Sequence, residues 1–269
     1  MIRRPPRSTQ GVSSAASDVY KRQPEQLIEA AENNLEFFDA NMHAIKAWYK
    51  TEPGLIEQLI PAPLEAHADP MVRIVISRVF VDLNGGMNFG AATFGVNCMY
   101  KGKEGIYEIT MPMETEGVVV GGRETYGEPK KIADVTASKD GDNCVATVTR
   151  HGITYIELKG KTTDSLETSS FTDDVYCFKV FPSCEQHKAV DQNPLLVKIN
   201  MHRTQSVHTK LDGEIILRES PVDPVVDLPV KEMVSLVWEE GTSSSNASVM
   251  EEVDAMSYVP FMHSRYDSA

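Results

Sequence analysis

Two adjacent lysines, Lys130 and Lys131, are the residues of this sequence with the clearest potential for chemistry. They follow Pro129 at the end of the glycine-rich segment Gly121–Lys131. The amine of a lysine can attack a ketone to form an imine, which then withdraws electrons from the neighbouring carbon atoms. The segment is therefore a candidate for a nucleophilic lysine, the alternative being that the two lysines form a solvated surface pair.

Such a lysine needs an environment that favours its neutral form. An unperturbed lysine has a pKa near 10.4 and is about 99.9% protonated at neutral pH, so it cannot attack a carbonyl. Desolvation or an adjacent cation lowers the pKa. The apolar run Val118–Val120 precedes the glycines, so we predict that a strand over Gly117–Gly121 and a turn bring the lysines to the end of a sheet.

Other kinds of active site are not indicated. The sequence has no phosphate-binding glycine loop, no nucleophile elbow and no His-Glu-x-x-His helix. His187, His202 and His208 are not at the spacing of two helical metal ligands, so no metal or cofactor is expected. The four cysteines show no C-x-x-C pair and are expected to be reduced and buried.

Most of the chain alternates apolar and polar residues in short stretches, which is typical of β-strands. Turn sequences separate these stretches, among them Leu211–Gly213. Segments 162–174 and 241–248 are polar and are expected to be mobile. Beyond Gly117–Gly121, the predicted strands are Val72–Asp82, Thr93–Tyr100, Gly105–Met113, Cys144–Arg150, Ile153–Leu158, Leu195–Met201 and Glu214–Arg218.

Two helices are predicted near the start of the chain. Apolar residues between Leu27 and Phe38 recur at helical spacing and predict an amphipathic helix that ends near Asn41. Thr51 and Pro53 favour a short helix over Pro53–Ile60. Together these patterns predict a β-rich α+β fold, with a mainly antiparallel curled sheet or closed cone-like β-barrel and a few peripheral helices.

The lysine segment resembles a known family. Gly122-Arg123-Glu124 and Glu128-Pro129-Lys130-Lys131 are similar to the G-R-E-x-x-x-x-P-K-K signature of the acetoacetate decarboxylase family. A second segment, Asp227–Glu232, is similar to the family's Asp-Leu-Pro-Val-Lys-Glu. The resemblance spans about Ala40 to Tyr266, with its motifs in the family's order.

The resemblance implies roles for individual residues. Lys130 would form the Schiff base with a small keto acid, and Lys131 would be the neighbouring cation. Arg123 and Glu124 would either satisfy each other near the barrel wall, as structural residues, or belong to the substrate pocket. Glu128 stands where the family has an aromatic residue, and could be a general acid or base in the pocket or a surface carboxylate.

Several apolar residues are candidates to form the substrate pocket. Met111 and Met113, with Val118 and Val120, are candidates to line it and desolvate the amine, the alternative being ordinary core packing. A family arginine and two family carboxylates align with apolar residues of this chain. Those residues are Met42, Val75 and Ala91; a shift of the alignment would bring His43 or Asn88 into the pocket instead.

Three functions follow from the resemblance. The first is a cofactor-independent carboxy-lyase that decarboxylates a small β-keto acid such as acetoacetate through an imine on Lys130. The second is an imine-dependent aldolase, dehydratase or hydratase that acts on pyruvate-like or longer keto acids, which the absent pocket groups favour. The third is a ligand-binding homologue without catalysis. A homo-oligomer is implied by the family alone.

The length, the net charge and the first residues of the chain lead to expectations about its domains, partners and location. Residues 1–23 resemble translated adaptor DNA and are expected to be non-native or disordered, and residues 24–269 are expected to form one domain. Segment 1–23 carries five basic residues and one acidic residue, so the net charge of −13 becomes −17 without it. This acidity argues against nucleic acid or an anionic membrane as partners. No signal peptide is recognised, so a cytoplasmic location is expected.

Overall fold

Extended segments of the chain form one large sheet. The structure, a computed structural model, describes residues 39–82 and 86–267, apart from the side chains of 263–265. The sheet has twelve strands within this range. They are β1 (Ala40–Lys50), β2 (Glu65–Ala66), β3 (Met71–Val81), β4 (Met87–Tyr100), β5 (Lys103–Met113), β6 (Lys130–Ile132), β7 (Asp134–Asp140), β8 (Asn143–Arg150), β9 (Ile153–Ser165), β10 (Ser170–Lys179), β11 (Leu195–Leu217) and β12 (Glu232–Glu252).

Seven of these strands close into a ring. Their order is β10-β5-β4-β3-β1-β12-β11, and β11 pairs back to β10. Strands β9, β8 and β7 continue from β11 and fold over the outer side of β1, β3 and β4. All pairings are antiparallel except β10 with β5 and β5 with β6. The predicted curled, mainly antiparallel sheet is confirmed.

The main core lies between the ring and the strands folded over it. Ile45 and Ala47 of β1 are fully buried there, together with residues of β3 and β8. Side chains alternate along a strand, so Ala44 and Lys46, which lie next to these residues in the sequence, point into the ring. Two smaller apolar clusters fill parts of the ring interior, one around Met111 and Met113 and one around Ile106 and Val175.

Helices are short and peripheral. The predicted helix over Pro53–Ile60 is present as α1 (Leu55–Leu59). The other helices are α2 (Glu116–Tyr126), α3 (Ala255–Tyr258) and two 3₁₀ segments, Val225–Asp227 and Val259–Arg265. Segment 1–23 and the predicted helix up to Phe38 lie outside the described residues, and the expected end of that helix near Asn41 is instead the start of β1.

The predicted strand over Gly117–Gly121 is wrong, because this segment lies in α2. Val118 and Val119 pack against the methionine cluster of β5, so tertiary contacts outweigh the low helix propensity of valine. The helix ends at Gly127, which has a left-handed backbone with φ 75° and donates its N–H to the carbonyl of Arg123. The glycine-rich segment is therefore helix and cap rather than strand and turn.

The two polar segments that were expected to be mobile lie mostly in strands. Segment 162–174 contains the end of β9 and the start of β10, and 241–248 lies inside β12. The turn predicted at Leu211–Gly213 is also wrong, because β11 runs through it. A Cβ at Gly213 would lie 2.0 Å from the carbonyl oxygen of Lys159, so this glycine permits close approach of β9 and β11.

A buried ionic network fixes β6 to the rest of the fold. The Lys131 amine lies 3.2 Å from Oδ1 of Asp223, and Arg150 donates from Nη1 to the same oxygen at 2.7 Å. Nε of Arg150 also donates to the carbonyl of Ile132 at 2.9 Å. Because Asp223 is fully buried, it balances two cations that would otherwise be desolvated without a partner.

We expect Asp223→Ala to lower the free energy of unfolding by about 3–5 kcal/mol, since it leaves Lys131 and Arg150 buried without this carboxylate. Urea denaturation measures the change. Asp212→Ala, which removes an exposed carboxylate from β11, should change the free energy by less than about 0.5 kcal/mol. Equal effects of the two substitutions would show that the network does not stabilise the fold.

Candidate active site

Lys130 begins β6 and faces the interior of the ring. In the parallel pairing of β5 with β6, Met111 lies opposite Lys130 and Met113 lies opposite Ile132. Paired residues in a sheet point to the same side, so Lys130 extends on the side of Met111. Met111 and Met113 are buried in the cluster that also contacts Val118 and Val119 of α2. Both methionines thus line the compartment that Lys130 enters.

Glu128 is the partner of Lys130. Its Oε2 lies 2.7 Å from the Lys130 amine, and the two side chains are 10% and 11% exposed. This oxygen accepts no hydrogen bond of regular geometry from the described residues, so the contact is an ion pair. Of the two orientations considered for Glu128 from the sequence, the structure has the buried one, beside the amine.

Helix α2 covers this pair with its backbone. Gly122 packs directly on it, and a Cβ at this position would lie 2.2 Å from Oε2 of Glu128 and 2.5 Å from Nζ of Lys130. By contrast, a Cβ at Gly121 would meet nothing within 4 Å. A side chain on the glycine of the Gly-Arg-Glu segment would therefore displace the ends of the Glu128 and Lys130 side chains.

Lys131 extends to the opposite side of β6, as strand alternation requires. Its amine lies near Asp223 and, at 3.4 Å, near Asp267, and donates to the carbonyl of Val222 at 3.1 Å. The amine also borders a separate, mainly apolar cavity of about 350 Å³ on this side. The role of Lys131 as a cation acting on Lys130 stays a prediction, while its contacts are those of an anchor for β6.

Arg123 and Glu124 do not meet each other in α2. Adjacent helical residues point in different directions, and among the described residues they form no mutual ion pair. The Arg123 guanidinium lies 5.4 Å from the centre of the Tyr266 ring, and Glu124 is exposed. Neither residue reaches the Lys130 amine by a direct contact in the described part of the chain.

A layer of charged residues crosses the ring interior, and sequence reasoning missed it. Arg73 of β3 and Glu108 of β5 form a fully buried ion pair across the intervening β4. Gly95 of β4 lies between them in register, and a Cβ there would come within 2.6 Å of Oε2 of Glu108. The available signal was a charged residue at an inward position of an otherwise apolar strand, as Arg73 is among Val72 and Ile74–Ile76.

The layer continues to the far side of the ring. Asp173 of β10 accepts from Arg73 at 3.0 Å and lies 3.9 Å from Nε of Arg203 on β11. Nη1 of Arg203 lies 3.4 Å from the sulfur of Met42. Val75 and Ala91 are buried apolar residues, so polar groups enter the interior from positions other than the three that the resemblance suggests.

Burial shifts the pKa of two groups that face this interior. Burial raises the pKa of Glu108, against the attraction of Arg73, and repulsion from Glu128 raises it further. Burial also lowers the pKa of Lys46, which faces the same interior.

Within the described residues, no group of three or more His, Cys, Asp or Glu side chains has the geometry to hold a metal ion. No helix in the same part of the chain is long and apolar enough to cross a membrane.

Comparison with solved structures shows a shared fold. A structure of acetoacetate decarboxylase matches with a TM-score of 0.70 at 19% identity, over 80% of this chain and 90% of the other. The enduracididine biosynthesis enzyme MppR in complex with pyruvate also matches with a TM-score of 0.70, at 14% identity, over 81% of this chain and 91% of the other.

Comparison of sequences shows the family. Acetoacetate decarboxylase 1 of Mesorhizobium japonicum is 26% identical over 201 residues, which are 70% of this chain and 77% of the relative. Acetoacetate decarboxylase of Acidiphilium cryptum is 28% identical over 199 residues, with the same two shares. The family model for acetoacetate decarboxylase matches residues 24–252. This chain therefore belongs to the acetoacetate decarboxylase family.

Proposed function

We propose that this protein is a cofactor-independent lyase that decarboxylates a small β-keto acid through an imine on Lys130. The buried contact between the Lys130 amine and the Glu128 carboxylate carries this proposal. It combines a nucleophile, a proton acceptor within hydrogen-bonding distance and a covered compartment. Family membership and the relatives named acetoacetate decarboxylase support the same substrate class.

The reaction begins when Glu128 takes a proton from the Lys130 ammonium. The neutral amine attacks the ketone carbon, and the resulting carbinolamine loses water, with Glu128 returning the proton to the leaving hydroxyl. The C–C bond to the carboxylate then breaks, carbon dioxide leaves, and the bonding electrons neutralise the iminium as an enamine. Protonation on carbon and addition of water release the ketone and regenerate the amine.

The surroundings of the pair suit this sequence of steps. Met111, Met113 and helix α2 exclude water from one side of the amine. A substrate carboxylate loses more solvation there than the charge-dispersed transition state does, which favours the step that releases carbon dioxide. Lys131 has its charge matched by Asp223 on the opposite side of β6, so we assign it an anchoring role.

A second candidate is imine chemistry that keeps the carboxylate, as in an aldolase, dehydratase or hydratase. The observation that favours it is the charged layer, since Arg73 and Arg203 lie in the same ring interior. Glu128 would then move protons to and from the enamine or a leaving hydroxyl. The related fold of MppR, solved with pyruvate, is compatible with such a substrate.

Borohydride reduction tests the nucleophile. With acetoacetate or pyruvate present, we expect an irreversible adduct on the peptide that contains Lys130, seen as a mass increment, and none in Lys130→Ala. Lys139→Ala, which removes an exposed lysine, serves as the control. Carbon dioxide release from acetoacetate separates the two enzymatic candidates, and the absence of an adduct with every keto acid would leave the ligand-binding homologue.

Replacement of Glu128 tests the proton acceptor. We expect Glu128→Gln to slow turnover by about 10²- to 10⁴-fold, because the amide keeps the shape of the side chain and cannot take the proton. Steady-state kinetics measure the loss, and circular dichroism checks the fold. Glu124→Gln, which replaces an exposed glutamate four residues earlier in the chain, should retain full turnover. A fully active Glu128→Gln would remove the acid–base role.

The two glycines of α2 give a matched test of the cover over the amine. We expect Gly122→Ala to reduce trapping of Lys130 on the order of 10²-fold, because the new methyl group overlaps Nζ of Lys130 and Oε2 of Glu128. Gly121→Ala adds the same methyl group to the same helix with space around it, and should trap as the wild type does. Equal trapping by both variants would contradict the close packing of α2 on the pair.

A further inference from the structure

Arg203 is a buried cation with incomplete partners. Its side chain is 10% exposed, and its Nε has no hydrogen-bond partner among the described residues. The nearby Asp173 carboxylate is 3.9 Å from this nitrogen and already accepts from Arg73 at 3.0 Å. The contact of Nη1 with the sulfur of Met42 is to a weak acceptor. Asp173, Glu239 and Glu108 act on this guanidinium electrostatically, but its unpaired Nε leaves it able to bind a further anion.

Lys46 provides a second such cation. Its amine lies 5.0 Å from the centre of the Phe171 ring, and it forms no ion pair with any residue in the described ranges. The neighbouring Glu239 accepts instead from Gln205 at 3.0 Å and lies 3.9 Å from His208. Burial lowers the pKa of Lys46. The Glu239 and Asp173 carboxylates oppose this shift, and Arg73 and Arg203 add to it, so an added anion would stabilise the ammonium form.

The sheet register places Lys46 on the side of the sheet that Lys130 faces, and Arg203 lies beside Asp173 in the same ring interior. Lys46 pairs with Val75, and Val75 pairs with Thr93. The same side of the next two strands carries Met111 and Lys130, which are opposite each other. Four strand spacings of about 4.8 Å separate the two lysines along the sheet, and the curvature of the ring shortens the direct path between their long side chains.

We propose that Arg203 and Lys46 bind an anionic group of the substrate that is retained in the product. This inference rests on the proposed imine chemistry of Lys130 and narrows its substrate class. A carboxylate held by a guanidinium and an ammonium is stabilised, and so is not the one that leaves as carbon dioxide. The substrate is therefore a keto acid with a non-reacting carboxylate, which for decarboxylation means a keto diacid.

The test compares acids with their neutral esters. Borohydride trapping on Lys130 is measured against the concentration of pyruvate, levulinate and their methyl esters, and the half-saturating concentrations give a preference for acid over ester. We expect the wild type to prefer at least one acid, and Arg203→Met to lose about tenfold or more of that preference. The ester should still reach the wild-type maximum of trapped protein.

Two further variants and a control make the result specific. Lys46→Met should lower the acid preference independently of Arg203→Met, and Arg203→Lys should retain part of it because the charge is kept. Arg218→Met removes a more exposed arginine, paired with Glu157 outside the ring, and should keep the full preference. If the preference for acid over ester survives in both Arg203→Met and Lys46→Met, this inference is overturned and the imine chemistry stands. If no probe gives an adduct on Lys130, the imine chemistry is overturned as well.

Discussion

The burial of one ammonium beside one carboxylate is the constraint on which the rest of the site depends. Lys130 and Glu128 leave water together, and their attraction offsets the desolvation only while their geometry is held. Helix α2 provides that geometry from above, and Gly122 leaves the space for it. The carboxylate that lies beside the amine is also the group that takes its proton in the proposed reaction.

Alternation along the three-residue strand β6 places the two lysine side chains on opposite sides of the sheet. Lys130 faces the ring interior with Met111, while Lys131 meets Asp223 and Asp267 on the other side. The anchor is needed because β6 is short and pairs with β5 alone within the described sheet. The doubled lysine at this position thus joins a residue that faces the ring interior to the ionic network that holds its strand in place.

The sequence predicts the class of fold and the family, because both leave local signals. Alternation marks most of the sheet, and the lysine segment resembles a family signature. The helix over Val118–Val120 was missed because its stability comes from contacts with β5 that no local pattern shows. The charged layer was missed for a related reason: Arg73 and Asp173 are 100 residues apart and meet only when the ring closes.

The charged layer also constrains which carboxylate can react. Burying arginines, lysines and carboxylates inside a ring stabilises the fold less than apolar side chains of similar volume would. Their presence therefore favours a functional role for the layer. Decarboxylation needs poor solvation at the bond that breaks, whereas Arg203 and Lys46 offer strong solvation to an anion. Both conditions hold in one compartment if the substrate reacts at the apolar Met111 side and is held by its other end at the charged layer.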